Sequence, residues 1–205
     1  MSSTAPRHGL GASATLDVDG FDLRLLEEDD AADLLTHFSD PRVTEYLDID
    51  PLSGLDEAKA TIAWAQTLHN AGRGLRWGIR ERPGGAFIGT CGFNTLIFER
   101  GRRGEVAYDL STAWWGRGVM SGIMPALIDY GLGTLALHRL EAMVTPGNER
   151  SCRLLERHGF SREGLLSGYG FWKGRYWDQI VYGLTQGRGD STLEGDQTAG
   201  RSPQS

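Results

Sequence analysis

From Phe21 to Leu26 apolar and polar residues alternate, the period of a strand with one buried face. Ala31, Leu34, Leu35 and Phe38 then share one helical face until Asp40-Pro41 breaks the run. A second helix is predicted from about Leu55 to Asn70, with Ser53 as its N-cap, Ala58, Ile62 and Ala65 facing inward, and Gly72 and Gly74 ending it. Strands over Leu75–Arg80, Ala86–Phe98 and Glu105–Leu110 follow. They are separated by Pro83-Gly84-Gly85 and by Arg100-Gly101-Arg102-Arg103-Gly104, both turn signals, and read as an antiparallel meander.

Met120, Ile123, Met124, Leu127 and Ile128 next form an apolar helical stripe, whose plain reading is core packing. Pro125 lies inside it, lacks a backbone donor, and predicts a local kink. Arg139 to Thr145 alternates as a strand, Asn148 to His158 reads as a helix closed by Gly159, and two aromatic-rich strands flank Lys173-Gly174. The order is β-α-α-β-β-β-α-β-α-β-β. Its strand-helix-strand crossover from Glu105 to Thr145 implies parallel neighbours inside a largely antiparallel sheet, a mixed α/β fold. Residues 16–186 are read as one domain, between tails at 1–15 and 187–205 whose small polar composition predicts disorder.

Composition narrows the function. The chain has 205 residues, 40% of them hydrophobic, enough for one sizeable core. A net charge of -6 argues against direct nucleic-acid binding, which needs clustered positive charge, and suits a cationic partner. No run is apolar enough to span a bilayer, and the N-terminus lacks the basic-then-apolar order of a signal peptide, so a cytoplasmic protein without membrane association is expected. Cys91 and Cys152 show no metal-type spacing; both are read as reduced, with no metal site.

The most informative stretch is Trp114-Trp115-Gly116-Arg117-Gly118-Val119-Met120-Ser121-Gly122, which joins a strand to a helix. The first N–H groups of a helix lack intrahelical partners and sit at the positive end of the helix dipole, so anions dock there. Gly116 and Gly118 let the turn take unusual dihedrals and let a ligand approach the main chain without meeting a Cβ. The plain alternative is an ordinary glycine-containing loop.

Further on, His138-Arg139-Leu140-Glu141-Ala142-Met143-Val144-Thr145-Pro146-Gly147-Asn148, then Ser151, Leu154, Leu155, Glu156 and Gly159-Phe160, resembles the GNAT superfamily of N-acetyltransferases, and within it the RimJ/RimL-like branch. The stretch Trp172-Lys173-Gly174-Arg175-Tyr176-Trp177-Asp178 resembles that branch's final hairpin. The resemblance covers about residues 20 to 185 and implies a central, mostly antiparallel sheet of about six to seven strands with splayed central strands and about four flanking helices. It implies acetyl-coenzyme A as the ligand. The pyrophosphate would rest on the turn built by Trp115, Gly116, Arg117, Gly118, Val119, Met120 and Ser121, and the pantetheine would run between the parting strands Glu105–Leu110 and Arg139–Thr145. Trp115 and Met120 depart from the general family pattern and match its RimJ/RimL-like branch. Asn148 would touch the pantetheine, or cap the helix that starts there, or do both.

Acetyl transfer to an amine needs a base, an oxyanion stabiliser and a proton for the departing thiolate. Glu105, which matches the Glu of the branch's Glu-x-x-Tyr pattern with Tyr108 as companion, is the candidate base; the plain reading is a solvent-facing strand glutamate. A backbone N–H near Leu110 is the candidate oxyanion donor. The family's usual tyrosine acid falls on Leu155, and Ser151 takes its place as candidate, alongside a first-turn capping role. No cysteine or histidine stands in a nucleophile arrangement, so direct transfer in a ternary complex is expected over an acyl-cysteine route. Trp114, Tyr169, Phe171, Trp172, Tyr176 and Trp177 are read mainly as core aromatics, some of them lining the acceptor site, with Asp178 or Glu45 anchoring an ammonium group. The resemblance implies a protein N-terminal α-amino group as acceptor and admits a homodimer. Two other readings stay open: acetylation of a small amine such as an aminoglycoside or polyamine, and a noncatalytic acyl-coenzyme A sensor.

Overall fold

The computed structural model describes residues 15–185; the tails predicted at 1–15 and 187–205 lie outside them apart from Thr15. The chain runs β1 (Leu16–Val18), β2 (Phe21–Leu25), α1 (Ala31–Phe38), α2 (Pro41–Thr44), α3 (Leu55–Asn70), β3 (Leu75–Glu81), β4 (Phe87–Ile97) and β5 (Arg103–Leu110). It continues with α4 (Val119–Asp129), β6 (Arg139–Val144), α5 (Glu149–Arg157), β7 (Ser161–Trp172) and β8 (Arg175–Thr185). The strands form one sheet in the order β1-β2-β3-β4-β5-β6-β8-β7. Every neighbouring pair is antiparallel except β5 and β6, which the α4 crossover makes parallel.

The sheet has eight strands, more than the six to seven expected, because β1 pairs with β2 around the Asp19-Gly20 turn. Three residues are too few for alternation to register as a strand. Asp40-Pro41 ends α1 and also begins α2: the Asp40 carboxylate accepts the Arg42 N–H, and Pro41 opens the new helix, where its missing donor costs nothing. The N-cap of α3 is Gly54, not Ser53. Ser53 instead donates its N–H and its hydroxyl to the Glu57 carboxylate, at 2.6 and 3.1 Å. Helix α4 continues through Pro125 to Asp129 and then widens into a π-helical turn over Tyr130–Thr134. No helix among the described residues is long and apolar enough to cross a membrane.

Helices cover the sheet in two groups. Leu34, Phe38, Ala58 and Ile62, from α1 and α3, pack in one apolar cluster; Met120, Ile123, Met124, Leu127, Cys152 and Leu155, from α4 and α5, pack with the strands in the other. Strand β5 separates the two. Val106 and Leu110 join the α4 and α5 cluster, and Tyr108 reaches α5, whereas Asp109 and Ser111 bond to His37 of α1. That is the period-two alternation of a strand clad on both faces.

The pairing of β5 with β6 is short. Arg103, Gly104 and Glu105 face Arg139, Leu140 and Glu141, and there the register ends. Beyond it β5 stays bonded to β4 as far as Leu110, and β6 stays bonded to β8 as far as Val144. The two strands therefore part into a wedge whose apex is the Glu105–Glu141 pair.

Candidate active site

The wedge exposes backbone. Ser111 donates its N–H to Ile88 O at 2.8 Å, on the β4 side. Successive N–H groups of a strand point to opposite edges, so that of Leu110 is directed into the wedge. The Leu110 carbonyl accepts the Trp115 indole N–H at 2.7 Å. Trp115 is thus a brace between the strand end and the glycine turn, and the Arg150 guanidinium lies over its ring at 4.6 Å.

Gly116 and Gly118 have φ of 73° and 79°, in the left-handed region that favours glycine. Nothing lies within 4 Å of where a Cβ would stand at either, so the turn is open above both. Gly118 caps α4 without a side-chain hydrogen bond, and the first turn of α4 carries no acidic residue. Its leading N–H groups, from Val119 to Ser121, are left for an anion. Val119 and Met120 turn their side chains into the core, and the Ser121 hydroxyl meets His158 Nε2 at 3.0 Å. Arg117 lies with its guanidinium 5.2 Å from the centre of the Trp114 ring, adding positive charge beside the turn.

Across the wedge, Asn148 Oδ1 accepts the Ser151 N–H at 3.2 Å and caps α5. The Ser151 hydroxyl lies 2.7 Å from the Tyr108 hydroxyl, joining α5 to β5. Burial pushes the Tyr108 phenol above its ordinary value, so it stays protonated at neutral pH, though the Ser151 hydrogen bond works the other way. Leu155 is fully buried, so the position of the family's usual tyrosine is here a core position.

Glu105 sits at the apex. Burial raises its pKa from the ordinary 4.5, and the charges of Asp48 and Glu141 raise it further, against the lowering effect of a Thr95 hydrogen bond and of Arg76. A carboxyl whose charged form is disfavoured in this way, at the apex of a cleft, is a candidate for proton transfer. Glu105 and Tyr108 are three residues apart on a strand, so they stand on opposite faces of it. Asp48 and Tyr108's partnership with Ser151 are the parts the sequence did not reveal, since Asp48 lies on a loop without periodicity and the tyrosine–serine contact spans 43 positions.

The aromatic residues expected mainly in the core are, on the hairpin, largely outside it. Tyr169 and Phe171 on the edge strand β7, and Tyr176 at the start of β8, are 56, 63 and 72% exposed. Trp172 and Trp177 stack at 5.7 Å with an interplanar angle of 3°. Asp178 accepts the Gly168 N–H at 2.7 Å within the hairpin. Glu45 contributes its carbonyl: Lys173 donates to Thr44 O and Glu45 O, at 2.5 and 3.3 Å, and so ties the hairpin tip to the end of α2. Among the described residues no group of His, Cys, Asp and Glu is placed to hold a metal ion.

Residues 21–161 match the acetyltransferase (GNAT) domain family. The chain is 39% identical over 170 residues to the uncharacterized N-acetyltransferase p20 of Bacillus licheniformis, covering 83% of this chain and 95% of that one. It is 28% identical over 127 residues to the [ribosomal protein uS5]-alanine N-acetyltransferase of Escherichia coli, covering 62% and 66%. Among solved structures, Mycobacterium smegmatis RimJ in complex with CoA-disulfide superposes with a TM-score of 0.74 at 21% identity, covering 84% of this chain and 86% of that one.

Proposed function

The chain belongs to the GNAT acetyltransferase family and is an acetyl-CoA-dependent N-acetyltransferase, and from that premise we propose that it acetylates a protein N-terminal α-amino group by direct attack in a ternary complex. The observation that carries the reading is the wedge between β5 and β6, with Glu105 at its apex and the Tyr108–Ser151 pair across the strand.

The residues fit the donor. The amides of Gly116, Arg117, Gly118, Val119, Met120 and Ser121 take the pyrophosphate, with the open space over the two glycines as its seat and Trp115 holding the turn against Leu110. The pantetheine lies in the wedge, where it replaces the missing ladder partner of both strands, and Asn148 borders it from the α5 side. The Leu110 N–H meets the thioester oxygen and stabilises the tetrahedral intermediate. Glu105 takes the proton of the ammonium, directly or through a water, from the α1 side of β5. The thiolate leaves toward α5, where the Ser151 hydroxyl, itself paired with that of Tyr108, hydrogen-bonds the sulfur; the proton that Glu105 removes from the amine is returned to the thiolate through solvent, so both hydroxyls keep their own. Cys91 and Cys152 are buried, and burial pushes the Cys91 thiol far above its ordinary value, which supports transfer without an acyl-cysteine.

For the acceptor, support comes from the relatives: the Escherichia coli protein is named as a ribosomal-protein alanine N-acetyltransferase. The test is thiol release from acetyl-CoA against a panel of N-terminal peptides, aminoglycosides and polyamines. Turnover on a peptide is expected; turnover confined to a small amine overturns the acceptor assignment. On the active substrate Glu105→Gln is expected to lower kcat about 10²-fold at neutral pH, and full retained activity removes Glu105 as the base.

A further inference from the structure

A second group of polar side chains, which the reaction as described does not use, lies on the α1 face of the same strand. His37 is buried on α1 with both ring nitrogens engaged: Nε2 is 2.7 Å from Asp109 Oδ1, and Nδ1 is 2.8 Å from Ser111 Oγ. Asp109 Oδ1 also accepts the Thr90 backbone N–H at 2.9 Å. Its Oδ2 accepts the Thr90 hydroxyl at 2.6 Å and the Arg76 guanidinium at 2.9 Å. Burial alone would raise the Asp109 pKa, but His37, Arg76 and the Thr90 hydroxyl outweigh it and hold the carboxyl below its ordinary range. An ionised carboxylate only accepts, so His37 Nε2 carries a proton and donates it.

The location of this network gives it a role. Asp109 and Ser111 flank Leu110, whose amide faces the wedge. The Asp109 carbonyl and the Leu110 N–H belong to one planar peptide unit, so whatever fixes the first aims the second. On the β4 side that carbonyl is hemmed in by Gly89, where a Cβ would come within 2.3 Å of it. The adjoining Thr90 N–H is bound by the Asp109 side chain. The peptide is therefore held at its oxygen by close packing and at its side chain by four donors from α1, β3 and β4.

We propose that His37 and Asp109 are positioning residues for acetyl transfer: they hold the peptide between Asp109 and Leu110 so that its N–H points at the thioester oxygen. This rests on the reading of the wedge as the acetyl-CoA site. His37 links the helix on the acceptor side to the strand that carries the oxyanion donor, and neither residue touches the reacting atoms.

The direct readout is the carbonyl stretching band of bound acetyl-CoA labelled with carbon-13 at the acetyl carbonyl, which moves to lower frequency when a donor polarises the oxygen. Wild type is expected to show that downshift. His37→Phe keeps the ring and loses both hydrogen bonds; it is expected to lose the downshift and to lower kcat about 10²-fold, with acetyl-CoA affinity by calorimetry unchanged. His37→Gln restores a donor near the position of Nε2 and is expected to recover most of both. Should His37→Phe fail to fold, His37→Asn, whose amide is too short to reach Asp109, decides by the same criterion. A wild-type downshift and kcat in the variant lacking the Asp109 bond overturn the proposal, as does a loss confined to affinity. Glu105→Gln separates the two readings, since it is expected to lose kcat and keep the downshift. If wild type fails to bind acetyl-CoA, or binds it with no downshift, the donor-site reading fails and takes the proposal with it. If wild type and Glu105→Gln behave as expected while His37→Phe behaves as wild type, only the positioning proposal falls.

Discussion

Glu105 is a carboxylate in a place that disfavours its charge, and Asp48 is part of the reason. A neighbouring negative charge stabilises the protonated form, so removing it lowers the pKa of the group beside it. If Glu105 is the base, activity is lost as pH falls through its raised pKa, and Asp48→Asn moves that acid limb of the kcat/KM profile to lower pH. The measurement is the profile of wild type and variant on one substrate; a limb that stays in place, or moves up, separates Asp48 from the base. Individual residues were unevenly legible in the sequence. The glycines stood out through their place in a strand-to-helix turn, and Glu105 and Ser151 became candidates through the family resemblance. His37 read as one more position in a helix and Asp109 as one more in a strand, because nothing local signals a bond across 72 positions. A buried charged network is written in tertiary contacts, and its members look like surface residues until the chain is folded.

At the scale of elements, the turn into α4 separates two effects that a substitution usually mixes. At Gly118 a new Cβ meets nothing within 4 Å, so the cost of Gly118→Ala lies in φ of 79° and amounts to about 1–2 kcal/mol of stability. Gly118→Asp adds a negative charge where a pyrophosphate is expected. Calorimetry with acetyl-CoA should find binding to Gly118→Ala retained or modestly weakened and binding to Gly118→Asp abolished; equal affinity in the two sinks the phosphate reading. The long elements were readable because many periods agree: α1 and α3 run where the apolar stripe puts them, although the cap of α3 is Gly54 and not Ser53. Short ones were not. β1 offers three residues, and α2 hides behind a proline that serves equally well as a terminator and as a first helical residue. The exposed aromatics of β7 and β8 misled for a different reason: strand propensity is the same whether or not the face of a strand is covered, and only the folded hairpin shows which it is.

Over the whole molecule, the eight strands form two unequal panels, β1 to β5 and β6 with β8 and β7, stitched by three residue pairs near the start of β5 and β6. Helices α4 and α5 press on both panels from one side, which keeps the free protein in register. If acetyl-CoA lies along the open part of the seam, as proposed, amide exchange should slow on both margins, over residues 106–110 and 142–144, when it is added. Protection confined to the glycine turn would show that the pantetheine does not enter the seam. The unstitched stretch also has a thermodynamic meaning. A ligand that binds only the folded chain adds RT ln(1 + [L]/Kd) to its stability, about 2.7 kcal/mol at a hundredfold excess over Kd. In the proposed site that ligand spans the joint between the two halves of the sheet. A seam that admits the donor would make the protein's resistance to unfolding a gauge of its own donor supply: sturdier when the coenzyme pool is full, softer and more open to proteases when it drains.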